Sequence, residues 1–272
     1  EWSTINNFTI GTGTVVQESG VFGVGDFSFN VTGLIPNQTY YWKAFATNAS
    51  GTVYSSQQSF TTAQQILSVG DLSVLGFNTS TPDEFVFVNW VPITQNMVIK
   101  FTDNGFNAAA SATLAGNARG GENFVIWKNN TGADIDPGTV IRITGAATST
   151  GQIISGGLTG ISTTDQIFAY QGSATTGANP DWATNLNPTN FTGTILYGVN
   201  IGSTGFLTTG TAASTSSYLP TELAVTNGSI AITGTVAGSQ YTGTRSALGS
   251  IIAYRNLVNN PANWTTATSG LI

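Results

Sequence analysis

The sequence contains no histidine and no cysteine, and only 7% of its 272 residues are charged. Without histidine there is no imidazole base, no Ser-His-Asp triad and no histidine-bound zinc, copper or iron. Without cysteine there is no thiol nucleophile, disulfide, zinc finger or iron–sulfur ligation. The chemistry open to the chain is therefore that of carboxylates, hydroxyls, amides and aromatic rings.

Basic residues are also scarce, with seven Lys and Arg against thirteen Asp and Glu, a net charge of −6. Proteins that bind nucleic acid use Lys and Arg to replace the counterions of the phosphates, so we predict no nucleic-acid partner. No run of 18 apolar residues occurs, and we predict no insertion into a membrane. The sequence has no Walker loop, no GxSxG elbow and no Rossmann fingerprint. We therefore expect a protein that is not an enzyme.

What the chain does contain is 40% hydrophobic and 11% aromatic residues. Disordered chains combine high charge with few aromatic residues, so this composition predicts a folded protein. Its polar surface must come mainly from Ser, Thr, Asn, Gln and Gly, which suits β structure with many turns. The length suffices for one large or two medium domains.

Residues 1–63 have the pattern of strands joined by short turns. Residues 27–31 alternate apolar and polar side chains, as a half-buried strand does. A turn at 33–37 precedes a second strand, and a turn at 48–51 precedes a returning strand over 52–61.

This first segment resembles the second half of a fibronectin type III domain, in the form found in surface proteins of Bacteroidota. The resemblance is carried by Gly33-Leu34-x-Pro36-x-x-x-Tyr40, Ala44-x-Ala46-x-Asn48-x-x-Gly51 and Phe60-Thr61-Thr62. It implies that Tyr40 is a tyrosine-corner residue, whose hydroxyl bonds to backbone upstream while its ring packs in the core. Such domains have about 100 residues. We therefore expect a fragment of a longer protein, with a second chain completing the domain as the alternative.

Residues 64–272 predict a larger β-sandwich or jelly roll, because short β-branched or aromatic runs alternate with turn residues. The eight candidate strands are 72–77, 84–91, 97–102, 123–128, 139–144, 166–171, 194–200 and 229–233. Asn104-Gly105 and Asn227-Gly228 favour type I′ hairpin turns. Gly/Thr/Ser-rich stretches at 145–164 and 202–217 are predicted surface loops.

Residues 245–259 have apolar positions near helical spacing, followed by Pro261, and predict one helix of about three turns. The predicted fold class is therefore all-β. It consists of a partial fibronectin type III-like sandwich over 1–63 and a larger β-sandwich over 64–272, with one short helix near the C-terminus.

The second segment resembles a β-rich module of large secreted bacterial proteins, where it occurs beside lamin-tail-like, adhesin and sometimes nuclease domains. The matching stretches are 70–71, 76–78, 83–88, 101–105, 121–122, 137–140, 165–172 and 259–264. The resemblance implies an extracellular or cell-surface location and no particular activity.

Acidic and amide residues of several loops form the first candidate site. Asp83, Asp103, Asn104 and Glu122 offer the hard oxygen ligands that Ca²⁺ requires. Calcium is thus the one cofactor that we consider. The alternative is that residues 103–105 only form a hairpin turn and that the acids are solvated.

Aromatic rings in polar surroundings form the second candidate site. Trp182 and Tyr170 are the candidate platforms on which a sugar would stack. The alternative is that these rings close the ends of the hydrophobic core.

The leading functional hypothesis is a non-enzymatic structural or adhesive segment of a large secreted or cell-surface bacterial protein. Bacteroidota origin would add type IX secretion and a role in attachment or gliding motility. Its partners would be other domains of the same long chain, neighbouring subunits or surface polysaccharide. Two alternatives stay open: a carbohydrate-binding module, assisted by calcium, and a self-assembling filament subunit completed by strand donation.

Overall fold

The computed structural model describes residues 1–111, 117–172, 193–202, 204–224, 227–234 and 236–268. Within these ranges the regular structure is seventeen β-strands, one α-helix and two short 3-10 turns. The predicted all-β class with one short helix near the C-terminus is confirmed. The chain divides into two compact units: Glu1–Gln65 with Gln95–Met97, and Ile66–Thr94 with Val98–Ile272. The boundary that the sequence suggests, between 63 and 64, stays a prediction.

The first unit contains a three-stranded antiparallel sheet and a separate hairpin. The sheet has the order β1 (Trp2–Ser3), β2 (Thr39–Trp42), β5 (Gln58–Thr61), and the hairpin joins β3 (Phe45–Asn48) to β4 (Gly51–Tyr54). Gly51 has a φ of +132°, which only glycine adopts readily. The turn predicted at 48–51 is therefore confirmed.

Tyr40 is the centre of the small core of this unit. It is 2% exposed, and its ring centroid lies 5.1 Å from that of Trp2 and 5.8 Å from that of Phe60. Its hydroxyl oxygen accepts a hydrogen bond from the backbone N–H of Ile35 at 2.9 Å. These are the contacts that the resemblance to fibronectin type III implies for Tyr40, while the resemblance itself stays a prediction.

The strand predicted at 27–31 is wrong, because these residues pair with no strand of the described chain. Phe27, Phe29 and Val31 are 64%, 41% and 37% exposed. An alternating pattern favours a strand, but the strand forms only where a neighbour takes up its backbone hydrogen bonds. The returning strand predicted over 52–61 is present but divided into β4 and β5.

The second unit consists of two six-stranded sheets. The first has the order β11 (Ala147–Thr148), β10 (Val140–Thr144), β7 (Glu84–Asn89), β6 (Leu72–Asn78), β16 (Gly238–Tyr241), β17 (Trp264–Ala267). The second has the order β12 (Gln152–Gly157), β9 (Phe124–Lys128), β8 (Val98–Thr102), β13 (Asp165–Gly172), β14 (Gly193–Gly202), β15 (Ser229–Thr233). Neighbouring strands are antiparallel except β14 and β15, which are parallel.

Aromatic side chains fill the space between the two sheets. Phe85 and Phe87 of β7 each place their ring centroid 4.9 Å from that of Phe101 on β8, and Phe87 meets Trp127 of β9 at 5.6 Å. All four side chains are fully buried. The indole N–H of Trp127 donates to the carbonyl of Thr150 at 2.8 Å, so its burial leaves no unpaired donor. These contacts define a β-sandwich core.

All eight strands predicted for this unit are present, with ends that differ by at most two residues. Four strands were missed: β11, β12, β16 and β17. β12 lies inside the stretch 145–164, which the sequence predicts to be a surface loop. The strand was missed because its Gly and Ser residues obscure the apolar pattern. Asn227 has the positive φ expected of a turn, +72°. The hairpin predicted there is wrong, however, since β15 runs parallel to β14.

The helix α1 covers Ile251–Val258, eight residues, and is shorter than the predicted 245–259. It begins after Ser250, whose Oγ accepts a hydrogen bond from the backbone N–H of Ala253 at 3.2 Å. Ala247, at φ +64°, cannot continue the helix upstream. Val258 packs with residues of the first sheet, and the indole of Trp264 donates to its carbonyl at 2.7 Å.

Candidate functional site

Acidic and amide side chains of the second unit gather near one end of its second sheet. β8 is antiparallel to both β9 and β13, so its C-terminal end lies beside the starts of these two strands. Residues that follow β8 therefore meet residues that precede β9 or begin β13. We call this group the acidic end cluster; it comprises Asp83, Asp103, Asn104, Glu122, Asp165 and Gln166.

Asp103 follows β8 directly and is 3% exposed. One carboxylate oxygen, Oδ2, accepts a hydrogen bond from Asn123 Nδ2 at 3.1 Å. The other, Oδ1, is buried and has no hydrogen-bond partner. Burial raises the pKa of Asp103 above its ordinary value, and the negative charge of Asp83 adds to the rise.

Glu122 precedes β9, and its side chain is 16% exposed. Its Oε1 lies 3.5 Å from Arg119 Nη1, an ion pair, yet neither carboxylate oxygen has a hydrogen-bond partner. Burial raises the pKa of Glu122 to about 7; Arg119 opposes this rise and Asp103 reinforces it. The backbone N–H of Glu122 donates to Asn104 Oδ1 at 3.1 Å, which ties this loop to the end of β8.

Asp165 begins β13 and is 4% exposed; it was not among the predicted ligands. Its Oδ2 accepts from the N–H of Ser162 at 2.9 Å, and its Oδ1 accepts from the N–H and Nε2 of Gln166 at 2.8 and 3.2 Å. Burial raises the pKa of Asp165 to about 8, and the charges of Asp103 and Glu122 add to the rise. Three carboxyls are therefore within electrostatic reach of one another.

Gln166 is fully buried and places its side-chain amide inside the acidic end cluster. Its Nε2 donates to the carbonyl oxygen of Asp103, to Asp165 Oδ1 and to the carbonyl of Ser214 at 3.1 Å. Its Oε1 is buried without a hydrogen-bond partner. The amide is thus fixed by its nitrogen while its oxygen stays unpaired.

Two of the predicted calcium ligands are already engaged. Asp83 Oδ2 accepts hydrogen bonds from the backbone N–H groups of Gly160 and of Ile161, the latter at 3.0 Å. Asn104 is fully buried, and its Nδ2 donates to Thr102 Oγ1 at 2.7 Å. The hairpin predicted at Asn104-Gly105 is wrong, because this segment opens the long connection from β8 to β9.

Of the two predicted platforms for a sugar, Tyr170 is the one that lies within the described residues. Tyr170 is 1% exposed, within a buried cluster that includes Phe106, Phe168 and Ile195. A ring that is buried this completely offers no free face to a sugar, so Tyr170 belongs to the core. Trp182, the other candidate platform, lies outside the described residues.

Comparison with protein-family models, with curated proteins and with solved structures finds no match to this chain. No described helix is long and apolar enough to cross a membrane. In the described ranges, no three acidic side chains lie close enough together to hold a metal ion by carboxylates alone. The groups of the acidic end cluster that can hold a ligand are therefore its buried, unpaired oxygens.

Proposed function

We propose that this chain is a non-enzymatic structural and adhesive segment of a large secreted or cell-surface bacterial protein. One observation carries the proposal: buried side-chain amides tie the loops of the second unit's sandwich. Asn129 is fully buried, and its Nδ2 donates to the carbonyls of Ile93 and Ala133, both at 2.9 Å. Asn89, also buried, donates to the carbonyls of Val91 and Asp136, both at 2.9 Å.

The hydrogen bonds from these buried amides to the loops support a mechanical role. A loop whose carbonyls are held by a buried amide cannot open without leaving polar groups unpaired, which costs about 1–3 kcal/mol for each group. The sandwich is thus suited to act as a stiff spacer that displays its surface. That surface is poor in charge, since only 7% of residues are charged. Contacts with neighbouring domains or surface polysaccharide would therefore rely on hydrogen bonds more than on ion pairs.

The test is to determine the location and the mass of the native polypeptide in its source organism. An antibody raised against the second unit should label intact cells or the culture medium. The denatured polypeptide should be far heavier than the 28.2 kDa of this chain. Labelling only after lysis would refute the location, and turnover of a substrate by the purified chain would refute the non-enzymatic role.

A second candidate function is self-assembly by strand donation, and the exposed side chains at 27–31 favour it. The rings of Phe27 and Phe29 contact each other at 6.0 Å between centroids but remain largely exposed. In the same unit β5 is an edge strand, which among the described strands pairs with β2 alone. Residues 27–31 of one copy would pair with the β5 edge of a second copy. This head-to-tail contact would propagate into a filament when the rotation between successive copies does not close a ring.

Sedimentation of the purified chain at increasing concentration tests this candidate. Assemblies should grow with concentration, and the double change Phe27→Ser and Phe29→Ser should abolish them. Val53→Ser is the matched control, because Val53 is 71% exposed on the β3–β4 hairpin. A monomer at every concentration, or assemblies that the double change leaves intact, would refute strand donation.

A further inference from the structure

We propose that Asp103, Glu122 and Gln166 bind a calcium ion at the acidic end cluster, with water molecules completing its coordination. The ion would join the connection from β8 to β9 with the start of β13. This inference concerns one ion site and does not depend on the proposed adhesive role. It retains Asp103 and Glu122 from the predicted ligands, adds Gln166 and releases Asp83 and Asn104.

The unpaired oxygens of the cluster have the chemistry of calcium ligands. Asp103 Oδ1, both Glu122 carboxylate oxygens and Gln166 Oε1 are buried without a hydrogen-bond partner. Buried polar atoms are nearly always paired, and a buried charge requires a counter-charge or a metal ion. These atoms are all hard oxygen acceptors, which is the donor set that calcium prefers.

The Gln166 side chain provides an observation that is independent of the acids. Its nitrogen is fixed by Asp103 and Asp165, which places the whole amide between two members of the cluster. The oxygen of that amide is therefore held within the cluster, fully buried and unpaired. A buried amide oxygen that lacks a donor, on a side chain whose nitrogen is bonded to two members of the cluster, is available as a neutral ligand for a cation there.

The charge balance also favours a divalent cation. Arg119, with its 3.5 Å contact to Glu122 Oε1, is the one positive group that the structure places against these carboxylates. Asp165 has three N–H donors on its two oxygens and is not assigned as a ligand. The site thus needs only two carboxylates and one amide, in keeping with the lack of a three-acid group in the described chain.

Calcium is preferred over magnesium for a geometric reason. Calcium accepts six to eight oxygen ligands in irregular arrangements, whereas magnesium requires a near-ideal octahedron. Because two loops and the start of a strand supply the ligands of this site, the more tolerant coordination of calcium suits it better. With two carboxylates, we expect a dissociation constant of about 0.1–1 mM, the range of extracellular calcium modules.

Isothermal titration calorimetry of the whole chain, freed of metal with a chelator, tests the proposal. CaCl₂ should bind with one site, and MgCl₂ should bind at least about tenfold more weakly. Asp103→Asn and Glu122→Gln should each weaken calcium binding about tenfold or more. The Asp103→Asn change still allows an oxygen to face Asn123 Nδ2, which preserves that hydrogen bond. Asp136→Asn is the control, because Asp136 is an exposed acid of the same unit.

Hydrogen exchange of the unmodified chain provides a readout that needs no variant. Calcium should slow amide exchange in peptides covering 103–123 and 160–167 and leave the β3–β4 hairpin of the first unit unchanged. Absence of binding up to about 10 mM CaCl₂ would overturn the proposal. So would protection confined to other segments, or affinity unaltered in both variants.

Discussion

Lowering the pH from 7 to 5 in the presence of a chelator should stabilise the second unit. The perturbation acts on two carboxyls of the acidic end cluster. Their pKa values are raised by burial to about 7 for Glu122 and about 8 for Asp165. In the unfolded chain these pKa values return to about 4.3 and 3.9. Between pH 5 and 7 the folded protein therefore keeps protons that the unfolded chain releases.

The direction in which the free energy of unfolding changes with pH follows from this difference in bound protons. A carboxyl with a raised pKa in the folded state stabilises the fold below its unfolded pKa, and this contribution is lost as the pH rises through the folded value. Each retained proton changes the free energy of unfolding by about 1.4 kcal/mol per pH unit. Because the two carboxyls interact, we count one retained proton for the pair. The expected loss between pH 5 and 7 is then about 3 kcal/mol.

Urea unfolding followed by tryptophan fluorescence measures this loss, since Trp127 is fully buried in the core of the second unit. Glu122→Gln should reduce the dependence on pH without abolishing it, because it removes one titrating carboxyl of the pair and leaves Asp165. Asp136→Asn should leave the dependence unchanged. A free energy of unfolding that is constant or rises from pH 5 to 7 would show that these carboxyls are not held protonated by burial.

Three further changes test the packing and the hydrogen bonds. Phe101→Ala should lower the free energy of unfolding by about 3–5 kcal/mol, because it empties the contact between the sheets; urea unfolding measures it. Asn129→Ala leaves three loop carbonyls without their donor, and should speed hydrogen exchange at 130–135 while costing about 2–4 kcal/mol. Tyr40→Phe leaves the Ile35 N–H without its acceptor; thermal unfolding should show a loss of about 1–3 kcal/mol in the first unit. Unchanged stability in any of the three would contradict the corresponding contact.

The apolar pattern predicted the central strands because their side chains are buried on both faces. β7, for example, is buried throughout, and its continuous Phe and Val run is unmistakable in the sequence. The missed strands lie at or near the edges of the sheets. β16 reads Gly-Ser-Gln-Tyr and β17 reads Trp-Thr-Thr-Ala, so neither presents a β-branched apolar run. Their strand conformation depends on pairing partners that lie far away in the sequence.

The sequence predicted the residues of the candidate site that lie in loops, but not those at the start of β13. Asp103, Asn104 and Glu122 were singled out because acids and amides flank predicted strands. Asp165 and Gln166 were missed as site residues, since their approach to Asp103 depends on the pairing of β8 with β13, which spans more than 60 residues of sequence. Tyr170 failed as a sugar platform for the same reason, because the pattern around it does not reveal which side of β13 is covered.

Unpaired buried atoms also occur elsewhere in the described chain. One of them, Glu1 Oε2, is a carboxylate oxygen, but the other oxygen of that carboxylate accepts hydrogen bonds from the backbone N–H groups of Gly11 and Gly13. The side-chain oxygens of Asn89 and Asn117 are unpaired, yet each belongs to a neutral amide whose nitrogen is bonded. In the cluster, three of the four unpaired oxygens belong to carboxylates. A carboxylate that lacks donors must bind a proton or a cation, because the cost of burying its charge is far larger.

A proton and a calcium ion bound to these carboxylates lead to opposite expectations for the dependence of stability on pH. A proton is retained only when calcium is absent, so stability falls with rising pH in chelator. Calcium binds the ionised carboxylates and must displace that proton, so its affinity should increase from pH 5 to 7. At saturating calcium the fall in stability should therefore shrink or reverse, whereas in Asp103→Asn the two curves should nearly coincide. A fall in stability that calcium does not alter would mean that the carboxyls hold protons and no ion.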